Sequence, residues 1–249
     1  LGYEGFERIF KHAMGAVATT DVGDTYSHAF SLATALPTGL TVEINRDSAA
    51  IGGSSSFQYS GCQIDSLTIR QDVESIAEIE VSFLGADFAN IAVSTPTFPT
   101  FYQVDWENVA AFTFGGATIK ARSFEFTISN ALADDRYILG ARTRIGLGRS
   151  GPREVTGKFE AEFDSLATYA LYRDLIVGPN VLQVIWSNGL LTTSAKSITL
   201  IAPNCLMTAG EPSVSDAGPV YVTYEFQAYQ LSAANDEVTI VIGNSLSTI

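Results

Sequence analysis

The chain has 249 residues, of which 46% are hydrophobic, and it carries 14 Lys and Arg against 27 Asp and Glu for a formal net charge of −13. That composition is sufficient for one large or two modest folded domains and does not indicate disorder. The acidic balance, against which no basic cluster stands out, argues against a protein that binds nucleic acid by neutralising phosphates. No apolar run approaches the roughly 18 residues that a membrane helix needs.

The first predicted element is a short amphipathic helix in FERIFKHAMG (6–15). Its apolar residues recur at the helical spacing i, i+3, i+4 and i+7, at Phe6, Ile9, Phe10 and Ala13. Glu7, Arg8 and Lys11 are predicted to lie on the opposite, polar face. Gly15 stands where a residue with positive φ ends a helix, so we expect the helix to end there and to pack on a sheet.

A loop is predicted next, in NRDSAAIGGSSSF (45–57), between the strand-like segments TVEI (41–44) and FQYSG (57–61). Successive glycines and serines favour a mobile loop at the tip of a hairpin. Such a loop has high conformational entropy, which contacts with a partner would have to offset. We therefore expect it to contact a neighbouring chain through the residues Asn45, Arg46, Asp47, Ile51, Gly52, Gly53 and Phe57.

Two strands of strict alternation follow, in QIDSLTIR (63–70) and IAEIEVSFLG (76–85), so each is predicted to bury one face and expose the other.

The stretch 92–109 contains Pro96 and Pro99 and lacks a clear period. Proline removes a ladder donor and favours an extended path, so this stretch is predicted to be a linker or an arm on a neighbour.

The second half of the chain repeats the pattern of one helix followed by two strands, and two further strands precede its helix. The segments are ARSFEFTISN (121–130), REVTGKFEAEFDS (153–165), SLATYALYRDLIVG (165–178), SITLIAP (197–203) and PVYVTYEFQAY (219–229). Asp164 and Ser165 offer caps for the start of the helix, and Gly178 with Pro179 marks its end. The repeat predicts a mainly β protein of two tandem sandwich or barrel units, each flanked by one short helix. The predicted units are 1–92 and 121–249, with 93–120 as the linker or arm. Two strands precede the helix of the second unit, but no equivalent strands precede the first helix, before Gly5.

Acidic residues occupy the polar phase of several predicted strands. They are Glu78, Glu80, Glu160, Glu162 and Glu225. Their alternation with apolar residues places each on the exposed face of its strand, so we expect an electronegative sheet surface.

No residue pattern predicts catalysis, a cofactor or a metal site. Gly146, Gly148 and Gly151 match G-x-G-x-x-G, but a proline and an alternating strand follow instead of the helix that would bind a phosphate. His12 and His28 lack ligand partners at metal spacing, and the two cysteines are far apart, which indicates reduced, half-buried thiols. We expect the protein not to be an enzyme.

The order of segments in the second half carries a family resemblance. These segments are the meander ending V-x-G-x-F-x-A-x-F (155–163), the helix with Tyr169, Leu171 and Tyr172, then Gly178, SITLIAP and PVYVTYEFQAY. Together they resemble the tail tube proteins of long-tailed (siphovirus-type) bacteriophages, specifically those with tandem tube domains. The resemblance covers nearly the whole chain. It implies stacked rings whose inner sheets form a continuous channel for genomic DNA.

The resemblance also implies partners and a location. Six tube domains per ring would make this chain a trimer with pseudo-sixfold symmetry if it holds two units, and a hexamer if it holds one. The tape measure protein and the tail terminator would be partners, DNA would pass without specific binding, and the protein would be a virion tail component assembled in the host bacterial cytoplasm. The five glutamates would then face the lumen, and the segment 45–57 would carry ring stacking.

Two other classes remain open from the residues alone. An adhesive or capsid-decoration β-sandwich would expose an aromatic patch with a polar rim. A carbohydrate-binding protein or carbohydrate-active enzyme would place carboxylates across a groove or around calcium, which the sequence does not display.

Overall fold

The structure is a computed structural model in which β-strands dominate. It describes residues 1–23, 25–37, 39–48, 53–95, 97, 102–146, 148–164, 166–174, 180–188, 196–212, 218–230, 237–247 and 249. Within these residues the predicted mainly β class is confirmed, with two antiparallel sheets and few helices. No helix in the described ranges has the length and apolarity to cross a membrane.

The described chain forms two α-helices, one 3-10 turn and fifteen β-strands. The helices are α1 (Glu7–Met14) and α2 (Leu166–Arg173), and Trp106–Asn108 forms a 3-10 turn. The strands are β1 (Gly15–Asp21), β2 (Tyr26–Leu32), β3 (Leu40–Ser48), β4 (Gly53–Asp72), β5 (Glu78–Leu84), β6 (Asp87–Ile91), β7 (Val109–Phe114), β8 (Ala117–Thr118), β9 (Ala121–Ser129), β10 (Glu154–Glu162), β11 (Leu182–Ser187), β12 (Ser197–Ala202), β13 (Cys205–Ala209), β14 (Tyr221–Ala228) and β15 (Thr239–Asn244).

The strands form two sheets whose order differs from their order along the chain. The seven-stranded sheet runs β1-β2-β15-β12-β11-β7-β8. The eight-stranded sheet runs β13-β14-β10-β9-β4-β3, with β5 and β6 also paired to β4. Each sheet therefore includes strands from both predicted units, because β2 pairs with β15 and β4 pairs with β9. The division into units 1–92 and 121–249 remains a prediction.

An aromatic core holds the two sheets together. The ring of Phe159 in the eight-stranded sheet lies 5.4 Å from that of Phe112 and 5.6 Å from that of Phe114, both in the seven-stranded sheet. Trp186 of β11 contacts Phe124 of β9 across the same gap at 6.2 Å. Such tilted and edge-to-face pairs add to the apolar burial of the rings themselves. The alternation predicted from the sequence is realised, since β14 alternates exposed and buried residues along its whole length.

The strand β4 is 20 residues long and belongs to two parts of the fold. Its second half pairs with β5 and β9 inside the sandwich, while its first half pairs with β3 and β6 beyond the end of the sandwich. Gly61 lies at the transition with a φ of 61°, and a Cβ there would meet the Cβ of Ala86 at 3.0 Å. Glycine adopts this left-handed conformation without the penalty that a side chain would impose.

The predicted loop over 45–57 is a strand hairpin in most of its length, so that expectation is wrong for residues 45–48 and 53–57. Asn45 pairs with Ser56, and the antiparallel register continues to the Ser48 and Gly53 pair. Residues 49–52, including Ile51 and Gly52, lie outside the described residues. A ladder of main-chain hydrogen bonds outweighed the turn preference of glycine and serine in this segment.

The helix α1 packs as predicted except at Glu7, which is buried and not exposed. Phe10 and Ala13 are fully buried, the ring of Phe10 lies 5.9 Å from that of Phe30, and Gly15 ends the helix with a φ of 107°. Glu7, however, is only 4% exposed, so its prediction as a polar-face residue is wrong. The helical period could not show this burial, because Asn244, which donates a hydrogen bond to Glu7, lies near the other end of the chain.

A buried polar cluster joins the N-terminal segment to the end of β15. Glu7 accepts hydrogen bonds from Asn244 Nδ2 and from the Gly5 backbone, and Asn244 Oδ1 lies 3.2 Å from His28 Nε2. Nearby, the buried Lys196 Nζ lies 2.5 Å from Glu4 Oε1. Buried polar groups without partners are costly, so this cluster fixes how the two segments meet.

The Glu4 and Lys196 pair makes stability depend on pH. Burial raises the pKa of Glu4, but the hydrogen bonds from Lys196 and Ser245 outweigh burial and hold that pKa below its usual value of 4.5. A carboxyl whose pKa is lowered by folding stabilises the fold above its unfolded pKa, and this contribution is lost as the pH falls through the folded pKa.

We predict that Glu4→Gln lowers the free energy of unfolding at pH 7 by about 3–5 kcal/mol, because it leaves the Lys196 ammonium buried without its carboxylate. The double variant Glu4→Gln/Lys196→Met should lose less than the single variant. Urea unfolding at pH 7 and at pH 3 measures both effects, and the gap between wild type and Glu4→Gln should narrow at pH 3. Equal losses in the two variants, or a gap unchanged by pH, would contradict the pairing.

Candidate functional site

All five glutamates singled out in the sequence lie on one surface, the outer face of the eight-stranded sheet. The strands β5, β4, β9, β10 and β14 present one set of alternating side chains to this face and the other set to the core. Glu78, Glu80, Glu162 and Glu225 are exposed, and Glu160 is half-buried. We call this surface the polar face.

One row of the polar face alternates in charge across five strands. The register aligns Glu78, Arg70, Glu125, Lys158 and Glu225 in that order. Arg70 Nε donates to Glu125 Oε2 at 3.0 Å, and Lys158 Nζ lies 3.5 Å from Glu125 Oε1. The hydrogen bond and charge of Glu125 raise the pKa of Arg70 further. Opposite charges on neighbouring strands favour this register, and solvent screens them because they are exposed.

The rows on either side of the charged row contain hydroxyl groups and further carboxylates. Thr68 and Thr127 share a hydrogen bond of 2.9 Å between their hydroxyl groups. Glu160 stands between Ser123 and Thr223, with no cation opposite it in the register. This part of the polar face is therefore less neutralised than the Arg70 row.

Carboxylates outnumber cations on the polar face within the described strands. The carboxylates are Asp72, Glu78, Glu80, Glu125, Glu154, Glu160, Glu162 and Glu225, and the cations are Arg70, Arg122 and Lys158. Sequence reasoning missed Asp72, Arg70, Arg122, Glu125 and Lys158 as members of this surface. The signal was available, because Arg70 and Glu125 also occupy the polar phase of alternating segments, but their cross-strand pairing depends on strand order.

The predicted stacking segment lies away from the polar face, in the hairpin formed by β3 and the first half of β4. The guanidinium of Arg46 lies 5.3 Å from the ring centroid of Phe57, a cation–π distance. At the base of the hairpin Glu43 accepts hydrogen bonds from Ser56 and Ser94, and these hold the pKa of Glu43 below its usual value. These contacts stiffen the part of the hairpin that the structure describes.

Residues whose side chains could bind a metal or act as nucleophiles are dispersed or engaged in packing. No group of three or more His, Cys, Asp or Glu within the described ranges is arranged to hold a metal ion. Cys62 and Cys205 are free and buried, and burial raises the pKa of the Cys205 thiol to about 12. The stretch from Gly146 to Gly151 leads into β10, so a phosphate would meet a strand there and not a helix N-terminus.

The fold is a β-sandwich that presents an extended charged sheet face and an outlying hairpin. Comparison with known families gives its class: a family model described as phage tail tube protein matches residues 1–228. The chain therefore belongs to the phage tail tube protein family, as its sequence resemblance predicted. The protein is thus a structural component of the virion tail that assembles into the tube. No curated protein matches the chain.

Proposed function

We propose that the chain polymerises into stacked rings whose polar faces line the lumen of the tail tube and form an electronegative conduit for genomic DNA. The observation that carries this proposal is the gathering of Glu78, Glu80, Glu160, Glu162 and Glu225 on one sheet face in a protein of the tail tube family. A surface of fixed negative charge repels a phosphate backbone, so DNA would pass without adhering.

The sandwich also offers edges for ring closure. In the described part of the chain, β1 and β8 end the seven-stranded sheet. The edge strands of the eight-stranded sheet are β13 on one side and β3, β5 and β6 on the other, since these last three pair only with β4. Pairing of such edges between copies would turn an aggregation hazard into an assembly contact. We propose trimeric rings with pseudo-sixfold symmetry if the two sequence units act as two tube domains, and otherwise hexameric rings. The tape measure protein and the tail terminator are the proposed partners inside and at the end of the tube.

We predict that the purified chain forms tubes of constant diameter when it is concentrated, because heterologous contacts between rings do not close. Negative-stain electron microscopy checks this directly. Discrete soluble oligomers that never lengthen would contradict the tube and would favour an adhesive or decoration module.

We predict that Glu160→Lys/Glu162→Lys leaves ring assembly intact but slows DNA ejection from particles carrying the variant, because a positive lumen attracts phosphates. Glu160→Gln/Glu162→Gln should give an intermediate rate, and Glu211→Lys, which lies outside the polar face, should eject as the wild type does. A tube structure that places these two glutamates on the outer wall would refute the lumen assignment.

We propose that the hairpin over residues 45–57 reaches the next ring, where its contacts offset the cost of ordering it. Replacing Arg46–Ser55 with Asn-Gly retains the Asn45 and Ser56 pair and closes the strands with a two-residue turn. We predict rings that no longer stack, measured by sedimentation and microscopy, with a melting temperature close to that of the wild type. Tubes of normal length from this variant would assign stacking elsewhere.

A further inference from the structure

The connection between β9 and β10 concentrates positive charge in an acidic chain. Five of the 14 Lys and Arg lie in this connection, at Arg136, Arg142, Arg144, Arg149 and Arg153, and they outnumber its two carboxylates, Asp134 and Asp135. The sequence interpretation that no basic cluster stands out is therefore wrong for this segment. We call residues 131–153 the arginine loop.

The arginine loop is anchored at its base and projects an apolar tip. Arg153 donates to Asn130 Oδ1 at 2.8 Å and to the Ala33 carbonyl at 2.9 Å, and Arg144 donates to the Gly85 carbonyl at 2.9 Å. At the tip, Leu139 is fully exposed. A single exposed leucine is common on protein surfaces. Here Leu139 follows the exposed Tyr137 and Ile138 on an anchored loop, and such a cluster of exposed apolar side chains is typical of a contact with another protein.

An apolar cavity lies at the opposite end of the sandwich. The strand β9 runs from the cavity at Ala121 to the arginine loop after Ser129, a distance of about 27 Å at the usual rise per residue. The cavity has a volume of about 280 Å³ and is lined by the aromatic residues Trp106, Phe112, Phe124 and Trp186. Smaller apolar cavities of about 150 Å³ already hold a benzene-sized group.

Two buried polar atoms belong to residues that line this cavity and have no hydrogen-bond partner among the described residues. They are the indole Nε1 of Trp186 and the side-chain oxygen Oε1 of Gln71. Each of these atoms has less than 1 Å² of accessible surface, so a segment that enters the cavity meets its apolar lining and not these two polar atoms.

The surroundings of the cavity are acidic. Asp72 lines it, Glu74 follows in the same turn, and Asp105 and Glu107 flank the lining residue Trp106. The backbone N–H of Trp106 donates to the Ser75 carbonyl, so these two acidic segments are adjacent.

Two cations also line the cavity, and both have partners. Lys120 Nζ lies 2.7 Å from Asp164 Oδ2, and the guanidinium of Arg122 lies 4.4 Å from the ring centroid of Tyr221. The carboxylate of Asp164 balances Lys120, but the ring of Tyr221 does not cancel the charge of Arg122. The four carboxylates around Trp106 outnumber that one cation, so an approaching segment meets a net negative charge.

We propose that the tip of the arginine loop of one copy docks into this cavity of the next copy, with Leu139 inside and Arg142 facing Asp72 and Glu74. Both halves of the contact are present at opposite ends of the same molecule and are complementary in charge and in apolar character. A contact between unlike ends propagates and does not close. The inference rests on the proposed polymerisation, and it names a ring-to-ring contact in addition to the hairpin.

Cysteine cross-linking tests the contact. One protein carries Leu139→Cys and a second carries Val73→Cys, at an exposed residue that lines the cavity; the native Cys62 and Cys205 are buried and do not compete. After the two proteins are co-assembled and oxidised, we expect disulfide-linked dimers containing one of each. Val22→Cys, an exposed position in the β1–β2 turn, is the matched control for Val73→Cys and should give none. Tubes without the Leu139–Val73 dimer, or equal dimer yields with the control, would overturn the inference and leave the tube function standing.

Substitution provides a second measurement. Leu139→Ser should weaken ring-to-ring association by about 10- to 100-fold, the effect of leaving one apolar side chain unburied, without changing the melting temperature. Arg142→Glu and Glu74→Lys should each impair tube growth, and the double variant should recover it. Failure of the double variant to recover growth would overturn the contact, whereas absence of tubes from the wild type would refute the proposed function and this inference together.

Discussion

The fold depends on a single strand, β4, and on the four strands that pair with it. Its 20 residues pass from the hairpin with β3 and β6 into the eight-stranded sheet, where they pair with β5 and β9. The polar face and the outlying hairpin are therefore parts of one continuous ladder. Because main-chain hydrogen bonds run along the whole strand, the hairpin holds a fixed direction relative to the sandwich, with Gly61 as the point of change.

The polar face exists because the opposite face of the same strands is occupied by aromatic residues. Phe124, Phe159 and Phe226 require the inner face of their strands, and the period of two then presents Glu125, Glu160 and Glu225 outward. A shift of one residue in register would bury the carboxylates and expose the aromatic rings. The charge of this surface is thus protected by the same packing that stabilises the sandwich.

The sequence predicted individual elements well because their signals are local. The period of two located the strands that carry the five glutamates, and the helical period with Gly15 located α1. It did not reveal that Glu7 is buried or that β15 pairs with β2, because both depend on contacts between residues more than 200 positions apart. The arginine loop was missed for another reason: net charge averages over the chain, although the five cations lie close together in the sequence.

The position of β15 has a consequence for the newly synthesised chain. At usual translation rates of 5–20 residues per second, about 10–40 s separate the synthesis of β2 from that of β15. Until Thr239–Asn244 emerges, β2 and β12 each lack the neighbour that lies between them in the finished sheet. Their long-range pairing is slow by nature, since the loop must close before the contact forms. The seven-stranded sheet is thus completed late, and an incomplete chain presents sheet edges that the finished sandwich conceals.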